Sequence, residues 1–147
     1  MSDTTVGVEG IDHVELLVPD RYEAARWYEE TLGLSIRREY EDWAEEGGPL
    51  MVGATDAGSK LALFEGPADP TRTPLRIAFR VDGTGFLGFL DRLSELHLTR
   101  ATGEPVTRED VVDHDRSLSI YFSDPYGTPL EVTTYEYGEV VEVLELE

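Results

Sequence analysis

Residues 112–131, VDHDRSLSIYFSDPYGTPLE, decide the fold of this chain. The stretch contains a histidine, His114, a tyrosine, Tyr121, a tight Asp-Pro-Tyr-Gly turn at 124–127 and a glutamate, Glu131, that begins an apolar strand. Aspartate, proline and glycine in this order favour a reversal of the chain. Two strands folded back across the turn bring an imidazole, a phenol and a carboxylate to one site. Metal chemistry on small oxygenated substrates uses such groups together.

The composition narrows the class of protein. A chain of 147 residues, 40% of them hydrophobic, is long enough for one folded domain with a proper core. The chain has no cysteine, so a site must be built from nitrogen and oxygen ligands. No apolar run reaches the roughly 18 residues of a membrane helix, and the N-terminus is too polar and acidic for a signal peptide. We therefore expect a cytoplasmic protein that does not enter a membrane.

The charge is strongly negative, because 31 Asp and Glu oppose 12 Lys and Arg, which gives a net charge of −19. Such a field repels nucleic acid and anionic membrane surfaces, so neither is expected as a partner. The acidic residues are spread along the whole chain. This distribution favours a solubilising coat of the halophilic type, as in proteins from high-salt cytoplasm, over a surface for cations or basic partners.

The two halves of the chain repeat one β-α-β-β-β pattern. The first helix is predicted over 21–32, between an N-cap at Asp20 and a stop at Gly33, and the second over 84–96 with an apolar stripe. Strands are expected from their apolar runs and turn signals near 11–18, 34–41, 49–54 and 60–65, and near 75–81, 106–112, 117–123 and 129–135.

Neither half buries both faces of its sheet alone, so we predict a single α+β domain over residues 11–137. Its modules are expected at about 11–66 and 75–137, joined by a proline-rich linker at 67–74. Residues 1–10 form an N-terminal lead. The tail 138–147, with its partly alternating valines and glutamates, is predicted as an edge strand, a dimer arm or a disordered segment.

Superposing the halves places His13 over Arg76, and Ala62 over Glu131. A site on the pseudo-twofold axis would be lined by these four positions. Only His13 and Glu131 are obvious metal ligands.

These segments resemble the vicinal-oxygen-chelate superfamily, which includes glyoxalase I, bleomycin-resistance proteins, fosfomycin-resistance enzymes and extradiol dioxygenases. The resemblance covers about residues 10–136. It rests on the opening IDHVELLVPD and AARWYEETLGL segments and on 112–131, which fits the extradiol dioxygenase pattern. It implies two βαβββ modules that form one open curved barrel around a divalent metal, with a small-molecule cleft at the barrel centre.

The resemblance also implies roles for individual residues. His13 and Glu131 would be metal ligands, for iron, manganese, nickel or zinc, and His114 a catalytic acid or base with Tyr121 as its hydrogen-bond partner. Most related catalysts of the extradiol and fosfomycin types have a second histidine where this chain has Arg76. A guanidinium has no acceptor lone pair, so it cannot replace an imidazole as a ligand, and two ligands fall short of the usual three.

Several interpretations stay open at these residues. Arg76 forms a salt bridge with Glu131, anchors a substrate carboxylate beside a metal, or turns outward. His114 is either an acid and base or an exposed loop histidine between two aspartates. His13 and Tyr121 could also have purely structural roles. His13 would then be a histidine whose hydrogen bonds are made within the protein, and Tyr121 a tyrosine packed in the core.

Three functions are therefore weighed. The first is a metal-dependent dioxygenase, lyase or isomerase, whose divalent-metal site is weakened by Arg76. The second is a metal-free protein of the bleomycin-resistance type that binds a small molecule. The third is a metal-free isomerase or lyase that uses His13, Glu131 and His114. We expect a homodimer in each case, and the sequence leaves open whether the chain is an enzyme.

Overall fold

The computed structural model describes residues 7, 11–54, 58–67 and 75–145. By its internal packing the chain divides into two compact units, Met1–Asp69 and Pro70–Glu147. Most of the predicted lead at 1–10 and of the predicted linker at 67–74 lies outside the described residues. The single-domain boundaries of 11–137, and the closing of the two sheets into one open barrel, stay predictions.

The first unit contains a four-stranded sheet in the order β1-β4-β3-β2. Its elements are β1 (His13–Val18), α1 (Arg21–Leu32), β2 (Ser35–Ile36), α2 (Glu41–Glu45), β3 (Leu50–Gly53) and β4 (Lys60–Glu65). Helix α1 begins where the sequence predicts, because the Asp20 carboxylate accepts hydrogen bonds from the amides of Tyr22 and Glu23. It packs on β3 and β4 and buries Tyr28 completely.

The second unit contains a four-stranded sheet in the order β5-β8-β7-β6. Its elements are β5 (Ile77–Arg80), α3 (Gly83–Leu96), β6 (Val112–Asp113), β7 (Leu118–Ser123), β8 (Pro129–Thr134) and α4 (Tyr137–Glu145). In both units the outer strand that opens the module pairs in parallel with the last strand. The α+β class and the twofold βαβββ repeat are thus confirmed.

Two predicted strands are largely replaced by helical turns. Within 34–41 only Ser35–Ile36 is a strand, and a 3₁₀ turn at Arg38–Tyr40 leads into α2, where Arg38 and Glu41 pair across one turn. Within 106–112, a 3₁₀ turn at Arg108–Asp110 is stabilised by a capping box. In both segments, local hydrogen bonds of polar side chains outweigh a weak strand pattern.

The C-terminal tail is a helix, so its prediction as an edge strand or disordered segment is wrong for residues 138–145. Val140, Val143 and Leu144 follow helical spacing, and Val140 is fully buried beside α3. Residues 146 and 147 lie outside the described part. Across the described ranges, no helix is long and apolar enough to cross a membrane.

The faces of the second sheet have opposite character. Leu118, Ile120 and Phe122 on β7 are buried, together with Leu130 and Val132 on β8 and the apolar side of α3. The alternate positions of the same strands are polar, namely Ser119, Tyr121, Ser123, Glu131 and Thr133. Since side chains of a strand alternate between faces, one face forms the core and the other presents the polar set.

The turn between β7 and β8 is built around Asp124, which is only 4% exposed. Its Oδ1 accepts hydrogen bonds from the amides of Tyr126 (2.9 Å) and Thr128 (2.8 Å). Gly127 has a φ of 91°, which a residue without a side chain adopts at no steric cost. The Asp-Pro-Tyr-Gly turn predicted from the sequence is therefore confirmed.

Replacing Asp124 with Ala leaves two amides without this acceptor and is expected to lower the free energy of unfolding by about 2–3 kcal/mol. Asp124→Asn keeps a side-chain oxygen and is expected to lose less than about 1 kcal/mol. Urea unfolding followed by circular dichroism measures both values. Equal losses in the two variants would contradict the assignment of this role to the acceptor oxygen.

Candidate functional site

The candidate site lies on the polar face of the second sheet. Glu131 on β8 lies directly opposite Tyr121 on β7 and opposite Ala78 on β5. Arg76, one residue before β5, is on the same side of that strand as Ala78 because side chains alternate. His114 follows β6 directly. Four of the five predicted site residues, Arg76, His114, Tyr121 and Glu131, thus belong to one face of one module.

The strand register supports the correspondence predicted between the halves. Glu15 on β1 pairs with Ala62 on β4, and Ala78 on β5 pairs with Glu131 on β8. Ala62 and Glu131 are therefore equivalent positions, and so are His13 and Arg76, which lie two residues before the paired positions.

Glu131 is half-buried and accepts a hydrogen bond from a hydroxyl group on its own sheet. Ser119, fully buried on β7, places its Oγ 2.7 Å from Glu131 Oε2 and 2.9 Å from Thr133 Oγ1. The Thr133 hydroxyl lies 3.1 Å from the carbonyl oxygen of Leu118, to which it donates. A half-buried carboxylate needs such donors, and this network orients one of its two oxygens.

His114 and Tyr121 form the predicted pair. His114 Nε2 lies 2.9 Å from the Tyr121 hydroxyl, and the two rings meet edge to face at 6.3 Å. Burial raises the pKa of Tyr121 above its ordinary value, and the nearby negative charge of Glu131 raises it further. The Tyr121 phenol therefore stays neutral at physiological pH and is able to exchange a proton with the imidazole.

Arg76 does not form the salt bridge with Glu131 that one interpretation predicts. Its guanidinium lies over the Tyr121 ring, 4.8 Å from the ring centre. Within the described part of the chain it has no carboxylate partner and no hydrogen bond. A guanidinium stacked in this way keeps its N–H groups available for a carboxylate or phosphonate.

His13 lies in the first unit, on the exposed side of β1. Its Nδ1 is 2.8 Å from Asp12 Oδ2, and its Nε2 is 3.4 Å from Glu15 Oε2. The hydrogen bond with Asp12 raises the pKa of His13 above its ordinary value. Asp12 also binds the chain's single lysine, Lys60, at 3.2 Å. The pairing with Asp12 orients the ring, but it also favours the protonated form, which cannot bind a metal.

These donors do not fit a three-ligand metal centre. In the ranges that the structure describes, no three His, Asp or Glu side chains gather closely enough to hold a metal ion. Arg76 occupies the position equivalent to His13 and has no lone pair to offer.

Sequence reasoning missed Ser119 and Thr133. Both alternate with apolar residues on strands whose other face is core, and both lie on the same face of the sheet as Glu131. A polar residue repeated at every second position of a buried strand is the signal that would have identified them.

Comparison with known proteins agrees with this fold. The sequence matches the Glyoxalase/Bleomycin resistance protein/Dioxygenase superfamily over residues 10–132. The chain therefore belongs to that superfamily, which confirms the resemblance drawn from the sequence. No curated protein sequence matches the chain.

Three solved structures illustrate the similarity. A glyoxalase/dioxygenase from Nostoc punctiforme has a TM-score of 0.66 and 20% identity, with 92% of this chain and 97% of that chain covered. The oxidase ChaP-H2 has a TM-score of 0.65 and 26% identity, with coverages of 88% and 95%. The third is a mutant of the fosfomycin resistance protein FosX from Listeria monocytogenes, complexed with Mn(II) and 1S,2S-dihydroxypropylphosphonic acid. It has a TM-score of 0.61 and 18% identity, with coverages of 85% and 89%.

The effect of the neighbouring charges on the pKa of Tyr121 is testable with two variants that remove charges of opposite sign. Glu131→Gln removes a negative charge and is expected to lower the pKa of Tyr121, whereas Arg76→Gln removes a positive charge and is expected to raise it. Phenolate absorbance in an alkaline titration measures both pKa values, and Tyr121→Phe identifies the contribution of this tyrosine. Shifts in the same direction would contradict the opposite effects assigned to the two charges.

The raised pKa of Tyr121 also implies a dependence of stability on pH. The folded protein holds this proton more tightly than the unfolded chain. The contribution of Tyr121 to the free energy of unfolding is therefore complete below a pH of about 10 and is lost as the pH rises through the raised pKa. Urea unfolding below and above this pH measures the effect. The free energy of unfolding should fall less at alkaline pH in Tyr121→Phe than in the unmodified protein.

Proposed function

We propose that the polar face of the second module binds a small oxygenated anion, a carboxylate or a phosphonate, and exchanges a proton with it through Tyr121 and His114. The supporting observation is Arg76. In a chain with 31 acidic residues, this guanidinium has no carboxylate partner in the described part of the chain, and it lies on the ring of the tyrosine that pairs with His114. A bound anion would complete its hydrogen bonding.

Each residue has a defined task in this proposal. Arg76 holds the anionic group by charge and by paired N–H donors. The Tyr121 hydroxyl gives its proton to a ligand oxygen, and His114 Nε2, at 2.9 Å, returns a proton to the phenol oxygen. In the reverse direction the phenol passes its own proton to His114 Nε2 as it takes one from the ligand. Ser119 binds one oxygen of Glu131 and so orients this carboxylate beside Tyr121. This chemistry suits a metal-independent isomerase or lyase, or a binding protein if the proton exchange has no productive outcome.

The similar structures fit such a ligand without defining it. The FosX complex contains a dihydroxylated phosphonate, a small oxygenated anion, and the oxidase ChaP-H2 is a relative with the same fold. Assembly as a homodimer and a cytoplasmic location are further parts of the proposal, carried over from the sequence.

Anion binding is tested by isothermal titration calorimetry with benzoate, methylphosphonate and inorganic phosphate at low salt. Arg76→Gln is expected to weaken binding by about tenfold to a hundredfold, the usual range for a charge-assisted hydrogen bond. The matched control is Arg26→Gln, which removes the same charge from an exposed position on α1. Equal losses in both variants would indicate general charge attraction, and absence of binding to all three anions would refute the proposal.

A metal-dependent enzyme is the second candidate. Asp12 binds His13 Nδ1 and so leaves Nε2, 3.4 Å from Glu15 Oε2, as the ring nitrogen for a metal, an arrangement typical of carboxylate–histidine–metal sites, and the FosX structure contains Mn(II). The divalent metal would be held by His13 and Glu131, as the sequence predicts, and would polarise a bound oxygen.

Metal analysis of protein purified without chelator separates the two candidates. We expect less than one equivalent of iron, manganese, nickel or zinc in the unmodified protein, and a gain in affinity in Arg76→His because an imidazole provides a lone pair. Stoichiometric metal that disappears in both His13→Ala and Glu131→Ala would establish the second candidate in place of the first.

A further inference from the structure

The loop that contains His114 is short and exposed. Strand β6 has only two residues, Val112 and Asp113, and pairs with β7 along one side. The loop closes through a hydrogen bond from the His114 amide to the carbonyl of Ser117 at 2.9 Å. Exposed hairpins of this size open readily, so a histidine on such a loop needs further support to keep a fixed position.

Asp113 provides that support with both carboxylate oxygens. Its Oδ1 accepts a hydrogen bond from the Asp115 amide at 2.8 Å, and its Oδ2 accepts one from the Tyr137 hydroxyl at 2.8 Å. Asp115 has a φ of 69°, in the left-handed region that few residues other than glycine, asparagine and aspartate adopt. The side chain of Asp113 thus stabilises an unusual backbone conformation directly after His114.

Tyr137 is held firmly because it begins α4, which packs against the start of α3. Glu136 Oε1 accepts a hydrogen bond from the Gly83 amide at 2.7 Å, and Val140 is fully buried. A Cβ at Gly83 would lie 3.1 Å from Val140 Cγ2, so the two helices meet with little free space. The Tyr137 phenol therefore approaches Asp113 from a well-packed element.

The hydrogen bond with Asp113 also affects Tyr137 itself. Donation to this carboxylate raises the pKa of Tyr137, so the phenol keeps its proton at physiological pH. The contact between Tyr137 and Asp113 is therefore intact at neutral pH.

We propose that Tyr137 and Asp113 are positioning residues that hold the His114 imidazole against Tyr121. The connection runs from α4 through the Tyr137 hydroxyl and the Asp113 carboxylate to the backbone at Asp115, and the imidazole ends 2.9 Å from the Tyr121 hydroxyl. This role rests on the function proposed for the His114–Tyr121 pair. Helix α4 lies outside residues 10–132, so the support comes from the segment beyond the matched superfamily domain.

The test uses Tyr137→Phe, which removes one hydroxyl and leaves the ring. Nuclear magnetic resonance at one neutral pH measures amide hydrogen exchange at His114 and Asp115 and the ring nitrogen shifts of His114. Loss of the hydrogen bond is expected to speed both amide exchange rates roughly fivefold to tenfold. The ring nitrogen shifts should move toward those of Tyr121→Phe, in which the imidazole has lost its partner.

Two further variants separate positioning from general stability. Asp113→Asn weakens the same contact from its other side and is expected to reproduce the changes. Val140→Ala loosens α4 but keeps the Tyr137 hydroxyl, so it should lower global stability without the same shift of the His114 ring. Wild-type ring shifts and exchange rates in Tyr137→Phe, or identical changes in Val140→Ala, would overturn the proposal.

These measurements need no ligand, so their failure and the failure of the proposed function are distinguishable. If benzoate, methylphosphonate and phosphate do not bind but the ring shifts change, the positioning stands and the ligand assignment falls. If an anion binds through Arg76 but Tyr137→Phe leaves His114 unchanged, the ligand assignment stands and the positioning falls.

Discussion

The register between β7 and β8 is the constraint on which the second module depends. Six consecutive pairs join these strands, including Tyr121 with Glu131 and Ser119 with Thr133. A slip of one residue would turn the polar set toward α3 and the apolar set toward water. The buried Asp124 sets this register at the turn, because two amides of the turn bind its carboxylate. The core and the candidate site are therefore specified by one alignment of two strands.

The two modules share a backbone pattern but differ at the equivalent positions of the candidate site. The first module has His13 with Ala62, and the second has Arg76 with Glu131. Each module thus has one residue suited to bind a cation, and at its other equivalent position a residue that cannot bind one. In the second module, the replacement puts a stacked guanidinium beside a phenol and an imidazole. In the function proposed here, this arrangement recognises negative charge, where two histidines and a carboxylate would favour a metal.

Much of this arrangement is predictable from the sequence, since alternation, capping and turn residues are local signals. They place α1, α3, the longer strands and the turn at 124–127, and the family resemblance correctly pairs His114 with Tyr121. The tail is not predictable in this way, because Val140 becomes helical by fitting beside Gly83, 57 residues earlier, and a local pattern contains no such information. Ser119 does leave a local signal, a polar residue that alternates with buried apolar ones, but its role is defined by Glu131 on another strand. The roles of Arg76 and His13 stay predictions.

The capping of α3 by Glu136 has a consequence for synthesis on the ribosome. Helix α3 emerges long before the side chain that accepts its Gly83 amide, because Glu136 lies 53 residues further along the chain. The first module has all its strands within residues 13–65 and can pair them early. Helix α3 has a local N-cap at Asp82, but the bond from its Gly83 amide can form only after Glu136 has emerged. Domains generally fold from the N-terminus as they are made, so a pause in translation after Thr134 would leave a nascent chain with one finished module and one unfinished module.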